Sequence, residues 1–162
     1  MHVNKNTHVI KALWNRILRQ PMTKDDAKQI VKTITYLCGR PGMYVKDISL
    51  EGVAAYLDGF MAGISDISSD DEMLTYSWKL WIGKKFGIWH SGWSWNRSLL
   101  HTSGSSDEAL SLLPDLFEKF LEDYTNIGFK GIEDAHQEHF KIYEEKYGYV
   151  NVGPEQTFTK NP

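Results

Sequence analysis

A chain of 162 residues is long enough to bury roughly 70% of its unfolded surface around one core, so a single domain is expected and a second is not required. Its composition, 41% hydrophobic, 24% charged and 13% aromatic, excludes intrinsic disorder as its class. The net charge of −3 is unevenly spread: residues 1–46 hold nine Lys or Arg against Asp25 and Asp26, about +7, and residues 47–162 hold nine against nineteen acids, about −10.

That polarity has two explanations. Basic N-terminal helices can neutralise acidic ones by packing beside them, or an acidic face can remain free to attract a basic partner. Cys38 is the only cysteine, which excludes an internal disulfide and a cysteine-based zinc site within one chain. The opening residues "MHVNKNTHVIKALWNRILRQ" lack an apolar stretch ending in a small-residue cleavage site, and no run of about 20 apolar residues occurs. The expectation is a cytoplasmic chain, neither exported nor membrane-spanning.

In chain order, Ile10, Leu13, Trp14, Ile17 and Leu18 follow the helical period up to Pro21. Thr23, with Asp26 three residues on, caps a second helix whose inner face is Ala27, Ile30, Val31, Ile34, Leu37 and Cys38, with Gly39 at its end. In "RPGMY", Pro41 and a positive φ at Gly42 predict a type II turn, after which Met43 and Tyr44 return to the core. Ser49 caps a third helix with the stripe Leu50, Val53, Ala54, Leu57, Met61 and Ile64, and its Gly52 and Gly59 suggest a close helix crossing. "SDISSDDEM" reads as a linker closing in a capping box from Ser69 to Glu72, with Asp70 and Asp71 at the positive helix end.

The helix that follows turns Leu74, Trp78, Trp81, Ile82 and Phe86 inward. "GIWHSGWSWNRSLLH" fits helix or strand by period and is assigned helix. A capping box from Ser105 to Glu108 opens a helix with Ala109, Leu113, Leu116, Phe117, Phe120, Leu121 and Tyr124 inward, in which Pro114 either makes a kink or starts a new helix capped by Ser111. A last helix runs from about Ile132 to Tyr147 through His136, Phe140 and Tyr143. The expected fold is all-α: a single irregular bundle of six or seven helices over 1–152, with 153–162 a loose tail.

The RPGMY tract resembles a run in the ATPase domain of bacterial DNA gyrase. That fold would also need a magnesium-holding Asn with acidic residues and glycine-rich lid loops, and neither "DNS" nor GxGxxG occurs. His136 and His139 are one helical turn apart beside Glu133 and Glu138, the best candidates for metal chemistry. A di-metal helical bundle needs a second Glu-x-x-His, which the chain lacks. Without Gly-x-Ser-x-Gly, and with Cys38 on an inner helix face, no nucleophile stands out. The expectation is no enzyme activity and no cofactor. The alternatives are a metal-dependent hydrolase around His136 and His139, or nucleic-acid binding through the basic N-terminal helices with Lys5, Lys11, Arg16, Arg19, Lys24, Lys28 and Lys32, which the acidic remainder of the chain opposes.

Trp78, Trp81, Trp89, Trp93 and Trp95 lie within eighteen residues of one another. Trp89, Trp93 and Trp95 cannot all face inward from one helix, so at least one should be exposed, as binding hot spots often are. A tryptophan surface would serve a protein partner or equally a homodimer.

"RPGMYVKDISLEGVAAYLDGF" carries Arg40 to Tyr44, Ser49 with Leu50, and Asp58, Gly59 and Phe60. With "WKLWIGKKFGIWHSGWSWNRSLL" and "DEALSLLPDLFEKFLEDY" it resembles a broad family of small bacterial helical proteins over roughly residues 37–124, although Lys46 stands where that family usually has Gly. Some members resemble immunity proteins encoded beside secreted or contact-delivered toxins. The resemblance implies a stoichiometric inhibitor of a toxin domain, often a basic nuclease, in a contact-dependent growth inhibition or related toxin system. The residues expected to meet that partner are Asp70, Asp71, Glu72, Trp89, Trp93 and Trp95.

Overall fold

The computed structural model describes residues 22–67, 74–88 and 93–147. Among them are five helices and no strand: α1 (Lys24–Gly39), α2 (Leu50–Ile67), α3 (Leu74–Phe86), α4 (Trp95–Ser103) and α5 (Ser106–Tyr147). The all-α expectation is met, with five helices among the described residues against the six or seven expected for the chain. The helix expected around Ile10 to Leu18, the Ser69–Glu72 capping box and the C-terminal tail lie outside the described residues.

α1 begins as its sequence requires. The Thr23 hydroxyl accepts from the Asp26 backbone N–H at 3.2 Å and the Asp26 carboxylate accepts from the Thr23 N–H at 2.9 Å, a reciprocal capping box. These bonds hold the Asp26 carboxyl below its ordinary range. Ile30, Ile34 and Leu37 bury the inner face, chiefly against α5.

The next turn corrects the sequence reading. Gly42 does not have positive φ, and Pro41–Met43 form a 3-10 turn, with the Tyr44 and Val45 N–H groups both donating to the Pro41 carbonyl at 2.9 Å. Proline's fixed φ suits the first position of a helical turn, and its missing N–H costs nothing there. Met43, 73% exposed, and Tyr44 point to solvent and do not return to the core.

α2 starts on Ser49, whose hydroxyl accepts from the Gly52 N–H at 3.3 Å, and buries Leu50, Val53, Ala54, Leu57 and Met61. No helix crosses at its glycines. A Cβ at Gly52 would stand 2.0 Å from the Asp47 carbonyl oxygen in the preceding turn, whereas Gly59 is exposed with nothing within 4 Å. The tight glycine of α3 is Gly83, whose added Cβ would stand 2.9 Å from the Ile88 carbonyl oxygen just past the end of its own helix.

α5 is the spine. α1 and α3 lie along it, and α2 packs across α3, α4 and α5. Ser105 caps its start, and its inward stripe is Ala109, Leu113, Leu116, Phe117, Phe120, Leu121 and Tyr124, as the spacing predicts. Pro114 neither ends it nor starts a new helix, and Ser111 bonds back to the Glu108 carbonyl at 2.7 Å instead of capping. The two helices expected around residues 105–124 and 132–147 are continuous except at Gly128, where φ 66° and ψ −176° break the helical path. A Cβ at Gly131 would lie 2.6 Å from that of Ile127, so the bend also needs a glycine one turn on.

Trp78 of α3 is the hub of the core. Its ring stacks on Phe117 with centroids 3.9 Å apart and meets Phe120 at 5.3 Å, Trp95 at 5.7 Å and Trp81 at 5.8 Å. A further aromatic row, Tyr44, Tyr56 and Phe60, runs from the turn along α2.

The glycines separate by conformation. Gly128→Ala places a side chain in a backbone region open only to glycine and is expected to cost about 1–3 kcal/mol. Gly59→Ala, in open space within a helix, should stabilise by up to about 1 kcal/mol. Urea unfolding of both variants checks the contrast.

Candidate functional site

The tryptophan-rich segment resolves into a buried ring and a surface ring. α4 turns Trp95, Ser98 and Leu99 inward and Arg97, Leu100 and His101 outward. Trp95 is only 3% exposed, and its indole N–H donates to the Asp58 carboxylate of α2 at 2.7 Å. It is therefore a core residue, and the expectation that it anchors a partner is corrected: at i, i+4 with Leu99 it falls on the face that meets Trp78. Trp81 makes the analogous bond to Asp123 of α5 at 2.8 Å.

Trp93, half-buried just ahead of α4, lies along the outer face of that helix. The Arg97 guanidinium sits 4.9 Å from its ring centroid and the His101 imidazole meets it edge-on at 5.4 Å. Of the remaining expected contact residues, Asp70, Asp71, Glu72 and Trp89 lie outside the described residues.

Asp58 is half-buried. Desolvation raises its carboxyl above the ordinary range, against the opposing pull of the Trp95 hydrogen bond. His136 is pushed below its ordinary 6.5, first by burial and then by His139 and Lys84. Among the described residues no group of three or more His, Cys, Asp or Glu is placed to hold a metal ion. Burial pushes the Cys38 thiol to about 11, where the thiolate nucleophile is scarce at neutral pH.

Three surface features were not singled out from the sequence. Glu108, Ser111, Asp115, Glu118 and Glu122 follow three-four spacing along the exposed side of α5, opposite its buried stripe. They form an acidic ridge about 20 Å long, and none of its carboxylates is ion-paired among the described residues. The signal was available in their spacing, but the many helical acids obscured it. The second feature is the apolar tip of the 3-10 turn, where Ile48, 60% exposed, stands beside Gly42 and next to Met43 and Tyr44. The third is a charge pattern: residues 73–106 contain Lys79, Lys84, Lys85 and Arg97 and no Asp or Glu. On α1, Lys24, Lys28 and Lys32 are exposed, with Lys28 3.4 Å from Asp25.

No family model matches this sequence, and no curated protein or solved structure is significantly similar to it. No helix among the described residues is long and apolar enough to cross a membrane.

Two buried titratable groups give opposite pH signatures. Asp58 is easier to bury protonated, so its favourable contribution is present below 3.8 and is lost as pH rises through its raised folded value. Asp58→Asn keeps an acceptor for Trp95 and should be neutral or stabilising at pH 7. Asp58→Ala leaves the buried indole N–H without its partner, at a cost of about 1–3 kcal/mol. Denaturant midpoints of the two variants test this. For His136 the contribution is present above 6.5 and is lost as pH falls through its lowered folded value. Thermal unfolding between pH 7 and 5, compared with His136→Gln, should show a shallower decline in the variant.

Proposed function

We propose that this chain is a stoichiometric protein inhibitor, an immunity protein that neutralises a bacterial toxin domain by covering its active site or blocking its substrate groove. The observation that carries this reading is the acidic ridge of α5. Its carboxylates are exposed, periodic and unpaired among the described residues, which is the electrostatic complement of a basic protein surface such as that of a nuclease. Charges of this kind accelerate encounter more than they add affinity, and apolar residues hold the complex once formed. Leu112, exposed beside the ridge, supplies apolar surface of the sort that anchors do. The resemblance of residues 37–124 to a family of small bacterial helical proteins, some of which resemble immunity proteins, supports the same reading, with a cytoplasmic site of action and no catalytic step by the chain itself.

The test is co-expression with the toxin encoded in the adjacent reading frame. The expected outcome is suppressed lethality and a one-to-one complex on size exclusion. Joint reversal of Asp115, Glu118 and Glu122 to Lys should slow association about tenfold or more and remove most of its salt dependence, with the fold intact because all three are exposed. Unchanged kinetics, or a toxin equally lethal with and without this chain, would overturn the reading.

A further inference from the structure

The surface of α4 differs in sign from the ridge that follows it. Arg97 stacks over the Trp93 ring at 4.9 Å, His101 meets the same ring at 5.4 Å from one helical turn further on, and Leu100 is exposed between them in sequence. Stacking on an indole restricts the long arginine side chain while leaving the edge of the guanidinium, with its forked donors, directed away from the ring. No carboxylate is ion-paired with Arg97 among the described residues, and residues 73–106 supply none. A preorganised guanidinium that no described carboxylate pairs suits an external planar anion.

The surroundings select among anions. The Gly104–Ser105 junction leads straight from α4 to Asp107 and Glu108, both exposed, where the acidic ridge begins. A polyphosphate chain running out of the Arg97 site in that direction would meet like charge. One face of Trp93 is already covered by Arg97, so it is not available for stacking a base. A single carboxylate beside an aliphatic group avoids both conflicts: the carboxylate takes the fork and the aliphatic group rests on Leu100 and the rim of Trp93.

We infer that Trp93, Arg97, Leu100 and His101 form a docking site for a protein segment that presents an Asp or Glu next to an apolar residue. The site rests on the reading that this chain binds a protein, and adds to it that the partner's contact surface is mixed in charge. Basic groups face the α5 ridge, and at least one carboxylate faces α4. Such a pattern fixes orientation, because a partner docked in reverse would set like charges against each other at both places.

The experiment uses the full chain alone, with its arginine Nε–H and tryptophan indole resonances followed by NMR. The probes are N-acetyl-Leu-Asp-Leu amide, the same peptide with Asn for Asp, inorganic phosphate and an oligothymidine. The Asp peptide should shift the Arg97 and Trp93 signals saturably in the millimolar range, and the Asn peptide should bind about tenfold more weakly or not at all. Arg97→Gln, a change at an exposed position, should abolish the response while the far-ultraviolet dichroism of the helices stays unchanged. Saturable shifts that persist in Arg97→Gln, a stronger response to phosphate or oligothymidine than to the Asp peptide, or no response to any probe would each overturn the site. The toxin assay separates the two readings: peptide binding without toxin suppression keeps this site and removes the immunity reading. Suppression with unaltered affinity in Arg97→Gln does the reverse.

Discussion

The contact on which the rest of the molecule depends is the stack of Trp78 on Phe117, with ring centroids 3.9 Å apart and Phe120, Trp95 and Trp81 closing around it. Aromatic pairs contribute about 0.5–1.5 kcal/mol each beyond their buried area, and this group joins α3, α4 and α5 at one place. Because the rings must meet, the rotation of each helix about its own axis is fixed. α5 has to present Leu113, Phe117, Phe120 and Tyr124 to the core, which leaves Glu108, Asp115, Glu118 and Glu122 in solvent. α4 has to present Trp95 and Leu99, which leaves Arg97, Leu100 and His101 outside. The functional surface is thus the complement of the aromatic core.

Two indole–carboxylate bonds reinforce that arrangement from its edges. Asp58 receives Trp95 and Asp123 receives Trp81, tying α2 to α4 and α3 to α5 through groups that sit at the boundary between core and water. A tryptophan buries a large ring and still requires a partner for its N–H. Placing the carboxylates on neighbouring helices converts that requirement into alignment. The raised carboxyl of Asp58 shows that this alignment has an electrostatic cost.

Much of the fold was legible in the sequence wherever local chemistry decides the outcome. Thr23 with Asp26, Ser49, and Ser105 with Glu108 each satisfy open N–H groups of the helix they precede, and the buried stripes of α1, α2 and α5 follow the helical period, whereas α3 is buried nearly all round. Reading failed where two conformations satisfy the same residues. Pro41-Gly42 suits a type II turn and a 3-10 turn alike, and glycine's tolerance hid the fact that Gly42 does not need positive φ whereas Gly128 does. The tryptophan segment was read less well, because a short helix with aromatic residues on several sides has no single apolar face to reveal its orientation.

By itself, the sequence determined that the chain is helical, where most helices begin, and which stripe of α1, α2 and α5 is buried, since capping and amphipathic period act between residues within a few positions of one another. Only the tertiary structure decided that Trp95 is core while Trp93 lies half-buried under Arg97. The same holds for the joining of two expected helices through Gly128, and for α5 lying alongside both α1 and α3. Those outcomes depend on which rings and backbones from distant parts of the chain can occupy the same space, and local periodicity carries no information about that.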